Sequence, residues 1–133
     1  MANEAVIIEL FNGGRPIRYT CADATTILKG TLLELSADRT VIANTNDNAP
    51  VVGIAAAEKV ANDGATTIAA YTDGIFDMKS DAGVDSVGAL MANSATENII
   101  QTADADDLLQ GSWIGYYIEA GTNAGVEAVR VNK

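Results

Sequence analysis

Histidine is absent from the 133 residues. That one absence removes Ser-His and Cys-His nucleophilic pairs, histidine metal sites and the commonest general base. Cysteine occurs once, as Cys21, so no internal disulfide can form. A reactive thiolate there would need an electropositive setting, and its sequence neighbours are Arg18, Tyr19 and Asp23. Cys21 reads as a small buried hydrophobe. Basic residues are scarce, 8 Lys and Arg against 18 Asp and Glu, which leaves a net charge of −10. Phosphate contacts need clustered Lys and Arg, so no nucleic-acid partner is expected, and no anionic membrane surface either. No run approaches the roughly 18 apolar residues of a membrane span. Met1-Ala2-Asn3-Glu4 lacks the basic start of a signal peptide. The expectation is a product made in the cytoplasm and kept or assembled there.

Aromatic residues are only 5% of the chain although apolar residues reach 48%, so the core must be built from Val, Ile, Leu and Ala. Such a core is thin for this length, and self-association would help to cover what remains. What is present is a succession of short apolar segments punctuated by Asx-Gly turns. The clearest stretch runs from Val51 to Met78: Val51-Val52-Gly53-Ile54, a turn at Asn62-Asp63-Gly64, Thr66 to Tyr71, a turn at Asp73-Gly74, then Ile75 to Met78. Segments of this length between such turns predict a β-meander. A second version opens at Trp113-Ile114-Gly115-Tyr116, turns at Asn123-Ala124-Gly125 and closes with Val126 to Val131. Before these, Glu4 to Phe11 predicts a strand ending at Asn12-Gly13-Gly14, and Pro16 marks the next segment as an edge strand or extended arm. Ala22 to Lys29 predicts a short helical turn stopped by Gly30, and Asp104 to Gln110 another.

The chain repeats itself. Gly30-Thr31-Leu32-Leu33-Glu34-Leu35-Ser36-Ala37 falls on Gly88-Ala89-Leu90-Met91-Ala92-Asn93-Ser94-Ala95, an offset of 58 residues that also carries Val41-Ile42 onto Ile99-Ile100. Extra residues around Asp104 to Asp107 widen the offset to 62 at Gly53 and Gly115. Residues 30–71 and 88–131 therefore predict two similar β-units. Leu32, Leu33 and Leu35 supply both faces of a buried strand, while Gly53 and Gly115 inside apolar runs indicate a bulge or close backbone contact. The fold class that follows is all-β with minor helical turns, a compact sandwich or barrel-like domain.

No constellation carries chemistry. Asp104-Ala105-Asp106-Asp107 spaces carboxylates like the start of a calcium loop but lacks the glycine at position six and the closing Glu, so it reads as a helix-capping acidic loop. Asn44, Asn46, Asp47 and Asn48 read as side-chain caps in a turn. Lys29-Gly30-Thr31 has the wrong order for a phosphate loop. Trp113 with Tyr116 and Tyr117, or Tyr71 with Phe76, could stack on a sugar, but in so aromatic-poor a chain they read first as core and subunit-interface anchors. No enzyme, cofactor or metal is expected.

The order of Thr31-Leu32-Leu33-Glu34-Leu35, Val52-Gly53-Ile54-Ala55-Ala56, Thr66-Thr67-Ile68 and Tyr71 to Phe76 resembles the head decoration proteins of lambda-like tailed bacteriophages. Gly88 to Met91, Ile114-Gly115 and Val129-Arg130-Val131 look like a related group of phage capsid-cement proteins. The resemblance covers residues 28–133, leaving residues 1–27 as an N-terminal arm or strand and linker. It implies a homotrimeric structural protein on the outer surface of the expanded virion shell, cementing neighbouring major capsid subunits against internal pressure. The partners it implies are the major capsid protein and further copies of the chain. Here the N-terminal segment is apolar instead of Pro/Ser/Thr-rich, and the expected shell-contact residues are Val6, Ile7, Ile8, Leu10, Phe11, Arg15 and Arg18. Tyr71, Phe76, Trp113 and Tyr116 are the expected subunit-interface residues. Two other readings stay open: a carbohydrate-binding or adhesin-like β-module, which needs Trp113, Tyr116 or Tyr117 exposed beside Asp or Asn, and a small β-fold enzyme working through converging carboxylates.

Overall fold

The structure, a computed structural model, describes residues 3–81, 86–121 and 124–133. β1 (Val6–Glu9) is followed by a 3-10 turn at Asn12–Gly14. Then come β2 (Ile17–Thr20), β3 (Leu32–Ala37), β4 (Thr40–Ala43), β5 (Val51–Ala55) and β6 (Thr67–Tyr71). These five strands close a barrel in the order β2-β4-β3-β5-β6, antiparallel throughout except for the parallel β2–β4 contact. The chain continues through β7 (Asp73–Ser80), β8 (Leu90–Asn93), β9 (Ile99–Thr102), helix α1 (Ala105–Gln110), β10 (Trp113–Tyr117) and β11 (Val126–Asn132). Those strands close a second barrel of the same connectivity, again with one parallel pair, β7–β9. β1 lies antiparallel on β7, outside the closed ring.

The two predicted units thus have one topology, and their equivalence extends to single hydrogen bonds. Gly30 N–H donates to Ala55 O at 2.9 Å, and Gly88 N–H donates to Tyr117 O at 2.7 Å. Ala55 N–H donates to Thr31 O, and Tyr117 N–H donates to Ala89 O. Each barrel also takes a strand from before the repeat as read in sequence, β2 in one case and β7 in the other. β2 therefore belongs to the first barrel although it lies within residues 1–27.

Gly53 and Gly115 occupy matching places. Gly53 pairs with Leu33 and Gly115 with Met91, residues related by the offset of 58, and each pairing sits beside a register shift. A Cβ on Gly53 would run into the Tyr71 carbonyl oxygen, and one on Gly115 into that of Arg130. Gly53 is also at φ +151. The closing strand of each barrel thus approaches so near that only hydrogen fits.

Three expectations are corrected. Asp73-Gly74 is not a turn; both residues open β7, and the chain between β6 and β7 steps from one barrel to the other instead of forming a hairpin. Gly74 is a glycine for another reason, since Glu9 O lies 2.8 Å from where its Cβ would be. Ala22 to Lys29 forms no helix: it is a turn followed by a single bridge from Ile27 to Lys59, with Asp23 drawn into contacts of its own. Phe76, expected at a subunit interface, is fully buried in its own chain. The turn expected at Asn123 lies outside the described residues.

Two apolar clusters fill the molecule. Cys21, Ile27, Leu33, Val41, Val52, Ala55, Ile68 and Ala70 form the core of the first barrel. Phe76, Met78, Met91, Ile100, Ile114, Tyr117, Val129 and Val131 form that of the second, and Leu32, Val51 and Ile54 of the first barrel join this cluster. β3 and β5 are therefore apolar on both sides because one face lines their own barrel and the other packs on its neighbour. The accessible surface, 6133 Å², is below the roughly 6,600 Å² typical of a monomer of 13.8 kDa. Large apolar side chains nevertheless stay exposed, among them Val6, Val126 and Leu109.

Gly115→Ala should destabilise the fold by about 1–3 kcal/mol through overpacking. Gly88→Ala, which has a positive φ but open space around it, should cost about 1 kcal/mol from backbone strain alone. Urea denaturation followed by circular dichroism measures both, and equal costs would contradict the close approach.

Candidate functional site

β1 positions most of the expected shell-contact residues, and it divides them. Ile7 and Leu10 turn inward against the core of the second barrel. Val6 and Ile8 turn outward, 61% and 50% exposed. Ala5 N–H donates to Gly30 O at 2.8 Å, which ties the start of the segment to the first barrel. Beyond that bond a cleft of about 510 Å³, lined by Glu4, Ile7, Lys29, Ile54 and Tyr71 among others, separates β1 from the first barrel. The strand is therefore docked on β7 and stands off from the other unit.

The two expected arginines, Arg15 and Arg18, do not act together. The Arg130 guanidinium lies over the Phe11 ring, 4.5 Å from its centroid, and donates to Asp73 Oδ1 at 2.8 Å. Arg15 approaches Asp73 Oδ2 at 3.3 Å. Phe11 and Arg15 are thus held by a network centred on the buried Asp73, next to a turn in which Asn12, Gly13, Gly14 and Arg15 all have positive φ. Arg18 is exposed on β2, opposite Ala69. So the outward group that the structure assembles is Val6 and Ile8. The outer face of the second barrel adds Leu90, paired across the sheet with the half-buried Tyr116, as well as Ile118 and Val126.

The aromatic residues are mostly spoken for. Tyr71 packs on Phe76, with ring centroids 6.0 Å apart. Tyr117 is fully buried. Trp113 is half-buried, and the Lys133 ammonium sits 4.1 Å from its ring centroid. Lys133 also donates to Gly111 O and Trp113 O, both at 2.7 Å, and burial draws its pKa down to about 8.

Glu34 and Lys59 are buried charges that escaped sequence reasoning. Glu34 is buried on β3 and accepts from Asn44 Nδ2 (2.7 Å), Asn46 Nδ2 (2.7 Å) and the backbone amides of Thr45 and Asn46. Asn93 of the second barrel donates to Asn46 O at 2.8 Å, so the network spans both units. The asparagines read as turn caps serve this carboxylate. Lys59 is buried as well, and its ammonium donates to Asp63 Oδ1 (2.8 Å), Val60 O (2.9 Å) and Asp23 O (3.0 Å). Burial pulls the Lys59 pKa down, but the hydrogen bonds and charges of Asp63 and Asp23 outweigh it and hold the value above 10.5. The bond from Lys59 and the Ala65 amide hold Asp63 below its ordinary 3.8. The Cys21 thiol beside this cage is pushed up by burial. Among the described residues no group of three or more His, Cys, Asp or Glu converges on a possible metal position. Asp104 to Asp107 act as a helix cap, as read from sequence: Asp104 Oδ1 accepts from the amides of Asp106 and Asp107.

The Lys59 cage sets a pH window. A depressed carboxyl stabilises above its unfolded value and loses that contribution as pH falls through the folded one; a raised ammonium loses its contribution as pH rises through the folded value. Stability from this pair should be flat between about pH 4 and 10 and fall on both sides. Lys59→Met should lower stability at pH 7 and flatten both limbs of the urea midpoint plotted against pH; unchanged limbs would remove the cage from the account.

No protein-family model matches the sequence, and no curated protein matches it either. Among solved structures the fold is similar to the crystal structure of the head fiber gp8.5 N base of bacteriophage phi29, with a TM-score of 0.53 at 12% identity. The similarity spans 88% of this chain and 92% of that one.

Proposed function

We propose that this chain is a structural virion protein that binds the outer surface of the expanded phage capsid as a homotrimer and holds neighbouring major capsid subunits together. The observation that carries the reading is the shared two-barrel architecture: a phage head fiber base has this fold over nearly its whole length. Two features are in keeping with it. The buried charges Glu34 and Lys59 are both held in structural contacts. The outward Val6 and Ile8 on an edge strand form an apolar ridge of the kind that meets a partner surface. The role so described is non-catalytic and needs no cofactor. The carbohydrate-binding alternative keeps only Trp113 and Tyr116, both half-buried, since Tyr117 is buried and the Lys133 ammonium sits over the Trp113 ring.

The test is co-sedimentation with expanded and unexpanded capsids of the source virus. The wild-type protein should pellet with expanded particles and leave unexpanded ones in the supernatant. Removing residues 3–11 would confuse folding with binding, because Ile7 and Leu10 are core residues. Val6→Asp with Ile8→Asp changes exposed positions, where substitutions are usually within about 0.5 kcal/mol for the fold. It should weaken capsid binding at least tenfold at unchanged circular dichroism. Wild-type binding to neither kind of particle would refute the proposal.

A further inference from the structure

The second barrel carries one element that the first does without. Between β4 and β5 the chain crosses in a loop over residues 44–50, whereas between β9 and β10 it inserts α1. This is where the repeat offset widens from 58 to 62. The first barrel closes with no helix, so closure does not require α1. A six-residue helix is too short to persist by itself, yet this one is firmly fixed. Asp107 Oδ2 accepts from the Asp104 amide at 2.8 Å, Asp107 Oδ1 accepts from the Ser112 hydroxyl at 2.7 Å, and Gly111 closes the helix in the left-handed conformation. What these bonds hold outward is Leu108, 50% exposed, and Leu109, 85% exposed, with the exposed Asp106 beside them. A pre-ordered pair of this kind pays little additional ordering entropy on docking.

A receptor of opposite charge lies beside it on the same molecule. A cleft of about 460 Å³ is lined by Arg15, Pro16, Ile17, Thr72 and Lys133. Ile17 is 47% exposed, and the Arg15 side chain, 3.3 Å from Asp73 at one nitrogen, remains 57% exposed. In a chain with 8 basic residues against 18 acidic ones, this cleft joins exposed apolar surface to cations. Lys133 in its wall donates to Gly111 O, the cap of α1, so knob and cleft stand side by side.

We infer that α1 of one copy docks into the Arg15–Ile17 and Lys133 cleft of a second copy, with Leu109 against Pro16 and Ile17 and Asp106 facing Arg15. Such a contact is heterologous: each copy offers a knob and accepts one, and repetition about a rotation axis closes a ring. Charge selects the occupant, because an acidic knob avoids the acidic remainder of the surface and is drawn to the cationic cleft. The inference gives the self-association in the proposed function its surface, and it does not depend on the capsid contact.

Light scattering and sedimentation equilibrium over a concentration series test it, with circular dichroism to confirm folding. The wild-type protein should associate reversibly. Leu109→Glu and Ile17→Glu should each weaken association by a factor of about 30 or more, as for a hot-spot residue. Mixing the two variants is the decisive arm. The variant Ile17→Glu keeps its knob and Leu109→Glu keeps its cleft, so the mixture should form heterodimers that neither forms alone. A wild-type protein that stays monomeric overturns the inference together with the trimer. Association that ignores both substitutions, or a mixture that fails to pair, overturns the surface and leaves the trimer standing. Loss of capsid binding by Leu109→Glu with self-association intact would assign the knob to the shell and also overturn it.

Discussion

Two strands in this molecule are apolar on both faces, and the arrangement of everything else follows from how they are covered. β3 and β5 direct Leu33, Val52 and Ala55 into the first barrel and Leu32, Val51 and Ile54 onto the second. A barrel of five short strands has little interior of its own, and a strand left half-exposed with isoleucine and leucine outward would be unstable in water. Packing one barrel on the other resolves both difficulties. It also explains the absence of aromatic bulk: the shared layer is assembled from aliphatic side chains of two sheets, with Phe76 and Tyr117 placed only on the side of the second barrel.

Glu34 adds direction to that layer. A buried carboxylate is tolerable only when its lone pairs are occupied, and here Asn44, Asn46 and two backbone amides occupy them. Asn93 then joins the same loop from the second barrel. Apolar packing alone would allow the barrels to slide; a hydrogen-bonded carboxylate at their junction does not. The Lys59 cage does comparable work at the far end of the first barrel, where Asp23 and Asp63 bind two loops to one ammonium.

Much of this was legible in the sequence, for physical reasons that can be named. The duplication was readable because each barrel needs the same glycine where a carbonyl comes close, and because Leu32-Leu33 and Leu90-Met91 answer the same two-sided burial. The step from β6 to β7 was misread because Asp73-Gly74 has the composition of a hairpin turn, while the glycine answers a close contact with Glu9 that no local rule contains. Ala22 to Lys29 carries helix-cap residues, yet Asp23 is used by the distant Gly64 amide and Lys59. The Glu34 site was invisible for a similar reason, its partners lying 10 to 12 residues away, and the Lys59 cage is closed by Asp23, 36 residues away, as well as by the nearby Asp63. In the N-terminal segment the alternation of apolar side chains was visible, and only the register with β7 could decide that Ile7 turns inward while Val6 and Ile8 do not.

The layer shared by the two barrels should make them a single co-operative unit. Differential scanning calorimetry measures this directly. The account predicts one transition whose calorimetric and van't Hoff enthalpies agree, with a total near 90 kcal/mol at about 0.7 kcal/mol per residue. Two separable transitions, or a van't Hoff enthalpy near half the calorimetric value, would show that the barrels fold independently and contradict it.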